Sequence, residues 1–297
     1  MRHGRWRFLL GALVPALVLH VVFVLSPYAQ AFYLSLTDWT GVAGAAHYVG
    51  AGNYARLGGD TLFLDAVRNN AIMLLMVPAV TIGLGLFLAS ALHRGGRGSR
   101  GGSAYQIVYF FPQLLSLVVI AVLWGFVYNP NTGLLNSGLR AIGLGGLAHS
   151  WLAEPRFALV AVMAVLIWSS VGFYVVLFRA AIDAIPLELF EAAKLDGAGD
   201  WSSFRHVIFP LLKENVRVAF VYLGIAALDG FAVVQVMTVG PGGPDGATEV
   251  IGLSLYRNAF TYGRFGYASA MGVALFFATL TLALLALRSG REERHAL

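Results

Sequence analysis

The chain of 297 residues has no cysteine. That excludes disulfides and thiolate metal sites, and it leaves the redox compartment unread. Charge is also scarce: Asp, Glu, Lys and Arg make up 12% of the residues, where a soluble domain carries about 25%. So few charges do not cover a water-exposed surface of this size. Lysine is rarer still, two residues against eighteen arginines, a skew that reports codon usage in a GC-rich genome rather than mechanism. There is no G-x-x-x-x-G-K-[ST] phosphate loop, so the chain does not hydrolyse ATP in the usual way. No His, Asp and Glu cluster has metal-ligand spacing. His20, alone in an apolar run, reads as a packed or interhelix-bonded residue rather than a ligand.

What is present is apolar sequence, 58% of the chain, gathered into long runs. A helix needs about 20 residues to cross the hydrocarbon core. Six segments qualify: 8–27, 70–92, 105–128, 157–178, 218–239 and 265–287. Strands of a membrane barrel would be about half as long and would alternate in polarity. The fold class expected is therefore all-α, a polytopic membrane protein of six transmembrane helices forming one domain over residues 1–297. Asp229 is the one formal charge inside these spans.

The connections set the orientation. The N-terminus, the second-to-third and fourth-to-fifth connections and the C-terminus hold fourteen Lys and Arg, against six on the opposite side. The positive-inside rule then places both termini in the cytoplasm, which also absorbs the net charge of +5 without a nucleic-acid partner. Ala29-Gln30-Ala31 resembles a signal-peptidase site, but the apolar stretch before it exceeds a signal core of about 7–15 residues. The first span reads as a retained anchor. External connections are short and turn-rich, as in 129–133 and 240–246, and 95–102 is a basic glycine-rich linker.

The longest cytoplasmic connection, Arg179 to Arg217, has structure of its own. Pro186 suits a first helical turn, with Glu188 and Glu191 near the positive end. A short helix is expected through 189–195, stopped at Gly197. Asp200 is expected to cap a second one through Trp201, Phe204 and His206, which Pro210 breaks. Leu189, Phe190, Trp201 and Phe204 form an apolar set in a segment of mixed charge. Such a set fits a protein contact, an interfacial helix, or a loop folded back on its own bundle.

Glu191-Ala192-Ala193, with Gly197 after three more residues and Val207-Ile208-Phe209-Pro210 nine residues later, resembles the "EAA" loop of ABC-importer permeases. Val207 and Phe209 replace the usual Ile and Leu. Asn129-Pro130, Gly133-Leu134-Leu135-Asn136, Trp168 with Gly172 and Phe173, residues 185–198, 236–249 and Tyr256-Arg257-Asn258-Ala259-Phe260 extend the likeness. Together they cover about two-thirds of the chain, from 105 onward. It resembles the MalF/UgpA-like, binding-protein-dependent permeases of carbohydrate uptake, without the large external domain of the maltose version.

The resemblance implies a type I importer fold whose cytoplasmic coupling helix docks on an ATPase. Glu191, Ala192, Ala193, Asp196, Gly197, Trp201, Phe204 and Pro210 would form that coupling surface. It implies a second, related permease chain, two ATPase subunits and an extracytoplasmic solute-binding protein in a bacterial plasma membrane. ATP and Mg would be used by the partner, with no cofactor on this chain and no catalysis by it. Transport would follow alternating access. Asp229 is costly in lipid and so faces a cavity or pairs with another helix. Gln235 is a second polar candidate, though six residues turn it away from Asp229. Trp168 and Tyr174 would suit stacking on a sugar. A glycerol-phosphate importer fits the same family, but cations for a phosphate are not evident in the spans. An ion-coupled transporter or channel would need more intramembrane ionisable groups or inverted repeats, and a membrane enzyme would need a catalytic cluster.

Overall fold

A computed structural model describes residues 11, 13–42, 44–93, 109–238 and 242–293. The expected linker 95–102, the starts of the first and third spans, the last residue of the fifth, and Arg2, Arg5, Arg7 and Arg294 among the basic residues at the two ends lie outside these. Among the described residues the chain is helical, with no strand beyond one isolated bridge, Thr37 to Tyr48.

The helices are α1 (Leu13–Leu34), α2 (Gly52–Gly59), α3 (Thr61–His93), α4 (Leu117–Val127), α5 (Leu134–Ala141), α6 (Pro155–Asp183), α7 (Leu187–Leu195), α8 (Lys213–Leu228), α9 (Phe231–Met237), α10 (Ile251–Tyr256) and α11 (Phe265–Glu293). Four are long and apolar enough to cross a membrane: α1, α3, α6 and the apolar part of α11. α1 runs as helix straight through Ala29–Ala31. α3, at 33 residues, is about 50 Å long at 1.5 Å per residue, so it projects beyond a core of about 30 Å or tilts within it. Pro78 sits inside it without ending it.

The other two expected spans are not continuous rods among the described residues. The fifth is the pair α8 and α9, bent by 47° at Asp229–Gly230. Of the third, the described part consists of helical residues 109–110, a 3-10 turn, Phe111–Leu114, and the 11-residue α4. Pro112 supplies no amide to the ladder and Ser116 is extended (ψ 137°), so the helix restarts at Leu117.

The chain divides into two compact units. The first comprises 1–64 with 254–277. In it Asn53 donates to the carbonyls of Ser35 and Thr37, and the Tyr267 hydroxyl donates to Asp60 at 2.6 Å with Arg56 over its ring. The second comprises 65–253 with 278–297 and holds two apolar clusters spaced along α3 and α6. One gathers Met73, Val77, Ile120, Val162, Val165 and Val233. The other gathers Ile82, Leu86, Phe178, Ile182, Ile208 and Leu223. The connection after α4 packs on the first through Leu135 and Trp151, and the segment after α6 packs on the second through Ile185 and Leu212. These two connections therefore lie at opposite ends of the unit.

Leu75, Phe87, Val119, Phe126 and Val160 face outward and are exposed. Such faces suit lipid. Lipid tails are as apolar as leucine, so close packing rather than water exclusion must hold the helices together. Small residues permit it: Ala66, Ala89, Ala121, Ala158 and Ala227 are buried. At Gly172 a β-carbon would overlap the Tyr109 carbonyl, so glycine alone lets α6 lie against that backbone.

Candidate coupling surface and transport path

The segment between α6 and α8 is built from its ends. Pro186 is extended and sits one place before α7, at the N-cap rather than within the first turn; Glu188 lies in that turn. Acidic charge there is favourable because the first amides have no partners and carry partial positive charge. At the other end the Ala198 amide donates to the Ala193 carbonyl at 2.9 Å and the Gly197 amide to the Lys194 carbonyl at 3.0 Å. Gly197 has φ +75°. This is a Schellman cap, and it requires the left-handed conformation at Gly197 that other residues adopt only at a cost. Ala193 of the Glu-Ala-Ala run thus supplies the carbonyl that closes the helix.

The second half of the segment corrects two expectations. Gly199, not Asp200, occupies the N-cap, and Asp200 is the first helical residue. Pro210 does not end the helix. A π-helical turn, Phe204–Ile208, precedes Phe209–Leu211, and α8 starts at Lys213 after a loosened Leu212. The wide turn makes room for a ring that would otherwise clash with the preceding turn.

The apolar set divides into inward and outward members. Phe190 and Phe204 pack against the second cluster. Trp201 stacks on Phe204 with ring centres 5.5 Å apart and remains 69% exposed; Leu195 is 90% exposed. Leu187 and Leu189 are also exposed, as are Glu191, Ala192, Asp196, Gly197 and Pro210, while Ala193 is half-buried. The segment folds back on its own helices and presents a second apolar face outward.

The four transport-path candidates do not form one wall. Asp229 closes α8 at the bend, with φ −89° and ψ 25°, and is exposed. Gln235 is exposed on α9 beyond the bend. Trp168 is 42% exposed on α6 and meets Trp124 edge-on at 5.4 Å. Tyr174 is buried against Phe178 in the second cluster. None of the four lines the cavity of about 220 Å³ between α3, α4, α6 and α8. Its polar lining is Gln113, Ser169 and Ser170, beside Leu115, Leu166 and Leu223. Sequence reasoning passed over these three. The signal was available, polar side chains inside apolar runs, but Gln113 and the serines carry no charge to make them conspicuous.

Residues 65–291 match the family model described as binding-protein-dependent transport system inner membrane component. The chain is 43% identical over 288 residues to the diacetylchitobiose uptake system permease protein NgcF of Streptomyces coelicolor, covering 95% of this chain and 81% of that protein. It is 32% identical to the multiple sugar-binding transport system permease protein MsmF of Streptococcus mutans, covering 93% and 91%. Among solved structures it is similar, with TM-score 0.83 and 22% identity over 97% and 96% of the two chains, to a chain of a bacterial ABC transporter involved in the import of the acidic polysaccharide alginate. The bent spans, the packed segment after α6 and these likenesses agree: the chain belongs to the binding-protein-dependent transport system inner membrane components, multi-pass permeases of ABC transporters.

Proposed function

We propose that this chain is a permease subunit of an ATP-driven importer that carries a carbohydrate, a mono- or oligosaccharide or amino sugar, by alternating access. The likeness to the diacetylchitobiose permease over 95% of the chain supports the substrate class. The relative from Streptococcus mutans, named for sugar transport, supports it too. The alginate transporter has been solved with a periplasmic protein loaded with alginate pentasaccharide; a solute-binding protein of that kind would deliver the substrate here.

The coupling assignment rests on one observation: α7 and the turn after it carry Leu195 and Trp201 outward while Phe190 and Phe204 anchor them to the helices of the second unit. An exposed apolar face on a rigid, capped segment fits a groove on a partner ATPase. Closure of two such ATPases on ATP and Mg would move the face, and Phe190 and Phe204 would pass that motion to α3 and α6. The chain itself would do no catalysis. The second permease would be a relative rather than a copy, and both termini would be cytoplasmic.

Reconstitution tests the reading. The chain is co-expressed with its partner permease and ATPase subunits, placed in proteoliposomes and supplied with the binding protein. ATP-dependent uptake of labelled diacetylchitobiose or a related sugar is the expected result. Uptake that persists without ATP and follows an ion gradient would favour a secondary transporter instead.

A further inference from the structure

The bend in the fifth span is held from the second span by one side chain. α8 ends at Leu228 and α9 begins at Phe231. A break of this kind takes carbonyls of the last turn out of the backbone ladder, which is costly where no water is at hand. Asn70 on α3 supplies a donor: its Nδ2 gives a hydrogen bond to the Leu228 carbonyl at 3.3 Å. Its Oδ1 accepts the Ile251 amide at 2.8 Å. Ile251 opens α10, where the first amides have no acceptor within the helix.

One amide thus satisfies the end of one helix and the start of another, and Asn70 is 1% exposed. The geometry needs a donor and an acceptor on one short planar group. Leucine offers neither, an ionised aspartate offers only acceptors, and glutamine is longer by a methylene. The neighbouring Asn69 has a separate task. Its Nδ2 donates to the Ala247 and Glu249 carbonyls at 3.2 and 2.9 Å, tying down the connection before α10.

We propose that Asn70 is a positioning residue for transport, a pin that fixes the bend at Asp229–Gly230 and so the direction in which the Asp229 carboxylate projects. This rests on the importer reading for its transport consequence, and on geometry alone for the bend.

The absence of cysteine makes the test direct. Val218→Cys and Val236→Cys place spin labels at two exposed sites on either side of the bend, roughly 27 Å apart along a straight helix at about 1.5 Å per residue. The distance is measured by pulsed EPR in the assembled importer in nanodiscs, without substrate. The otherwise unaltered pair is expected to give one narrow distribution. Asn70→Leu, which leaves the Leu228 carbonyl and the Ile251 amide without that partner, is expected to shift or broaden it and to lower the maximal uptake rate by roughly tenfold. Asn70→Asp keeps the volume and the acceptor toward Ile251 and loses the donor toward Leu228 once its carboxyl is ionised, so at high pH it is expected to shift the distance in the same sense, with the parent pair measured at the same pH. It also serves if the leucine variant fails to assemble. Asn69→Ala is expected to leave the distance unchanged. An unchanged distribution in both Asn70 variants overturns the pin, and so does an equal shift in Asn69→Ala. An altered bend with no uptake of any sugar by the parent importer supports the pin and counts against the carbohydrate reading.

Discussion

Gly197 shows how one residue governs a surface. Its φ of +75° and its amide bond to Lys194 are both part of the cap that ends α7. Proline supplies neither: its φ is fixed near −65° and it has no N–H. Gly197→Pro is therefore expected to abolish binding-protein-stimulated ATP hydrolysis and uptake while leaving the amount of chain in the membrane unchanged. Stimulated hydrolysis in a purified complex carrying the change would remove the coupling assignment. Gly197→Ala keeps the amide and strains the backbone by about 1–2 kcal/mol, so partial activity is expected. Asp229 poses a different question at the same scale. It is the charge that stood out in the apolar runs, and it is exposed at the bend. Asp229→Ala is expected to impair uptake more than assembly. Full uptake with unchanged substrate affinity would make it a structural residue.

Among the elements, the helices with a single apolar pattern were legible and their interruptions were not. Hydropathy over a window of about 19 residues averages out a local break, so 105–128 and 218–239 read as rods. Pro112 and Ser116 open the third span, whereas Pro78 leaves α3 intact; proline alone does not say which outcome will hold, because neighbouring groups decide whether the freed carbonyls are satisfied. The segment after α6 was better specified. Its stop at Gly197 followed from local backbone chemistry. The fate of Phe204 and Trp201 did not, since which of two aromatics turns inward depends on the cluster they meet. That division gives a test. Phe204→Ala removes an anchor and is expected to lower the melting temperature of the detergent-solubilised chain, at a cost below the roughly 3–5 kcal/mol of a fully buried phenylalanine. Trp201→Ala is expected to leave melting unchanged and to reduce recovery of the ATPase in a pull-down. Equal effects of the two on melting would place Trp201 in the fold rather than in the contact.

For the whole molecule, direction in the membrane decides whether the coupling reading is physically possible. Fourteen of the twenty basic residues flank one set of connections, and cationic flanks are retained on the cytoplasmic side during insertion. The structure supplies an independent constraint. The connection after α4 and the segment after α6 pack at opposite ends of the second unit, so they must face opposite compartments. If the segment bearing Leu195 and Trp201 meets a cytoplasmic ATPase, Asn131 and Thr132 lie outside. On the same condition, and with the six crossings expected from the sequence, an even number of crossings would put both termini inside as well. Fluorescent-protein fusions at either end are expected to fluoresce, since that reporter folds in the cytoplasm. An alkaline phosphatase sandwich fusion at Asn131 is expected to be active, since that enzyme needs an oxidising compartment for its disulfides. The reverse pattern would put Trp201 on the outer face, where no ATPase exists to receive it. The exposed face of α7 would then have to serve an external partner, and the coupling assignment would fail even if the chain imports a sugar.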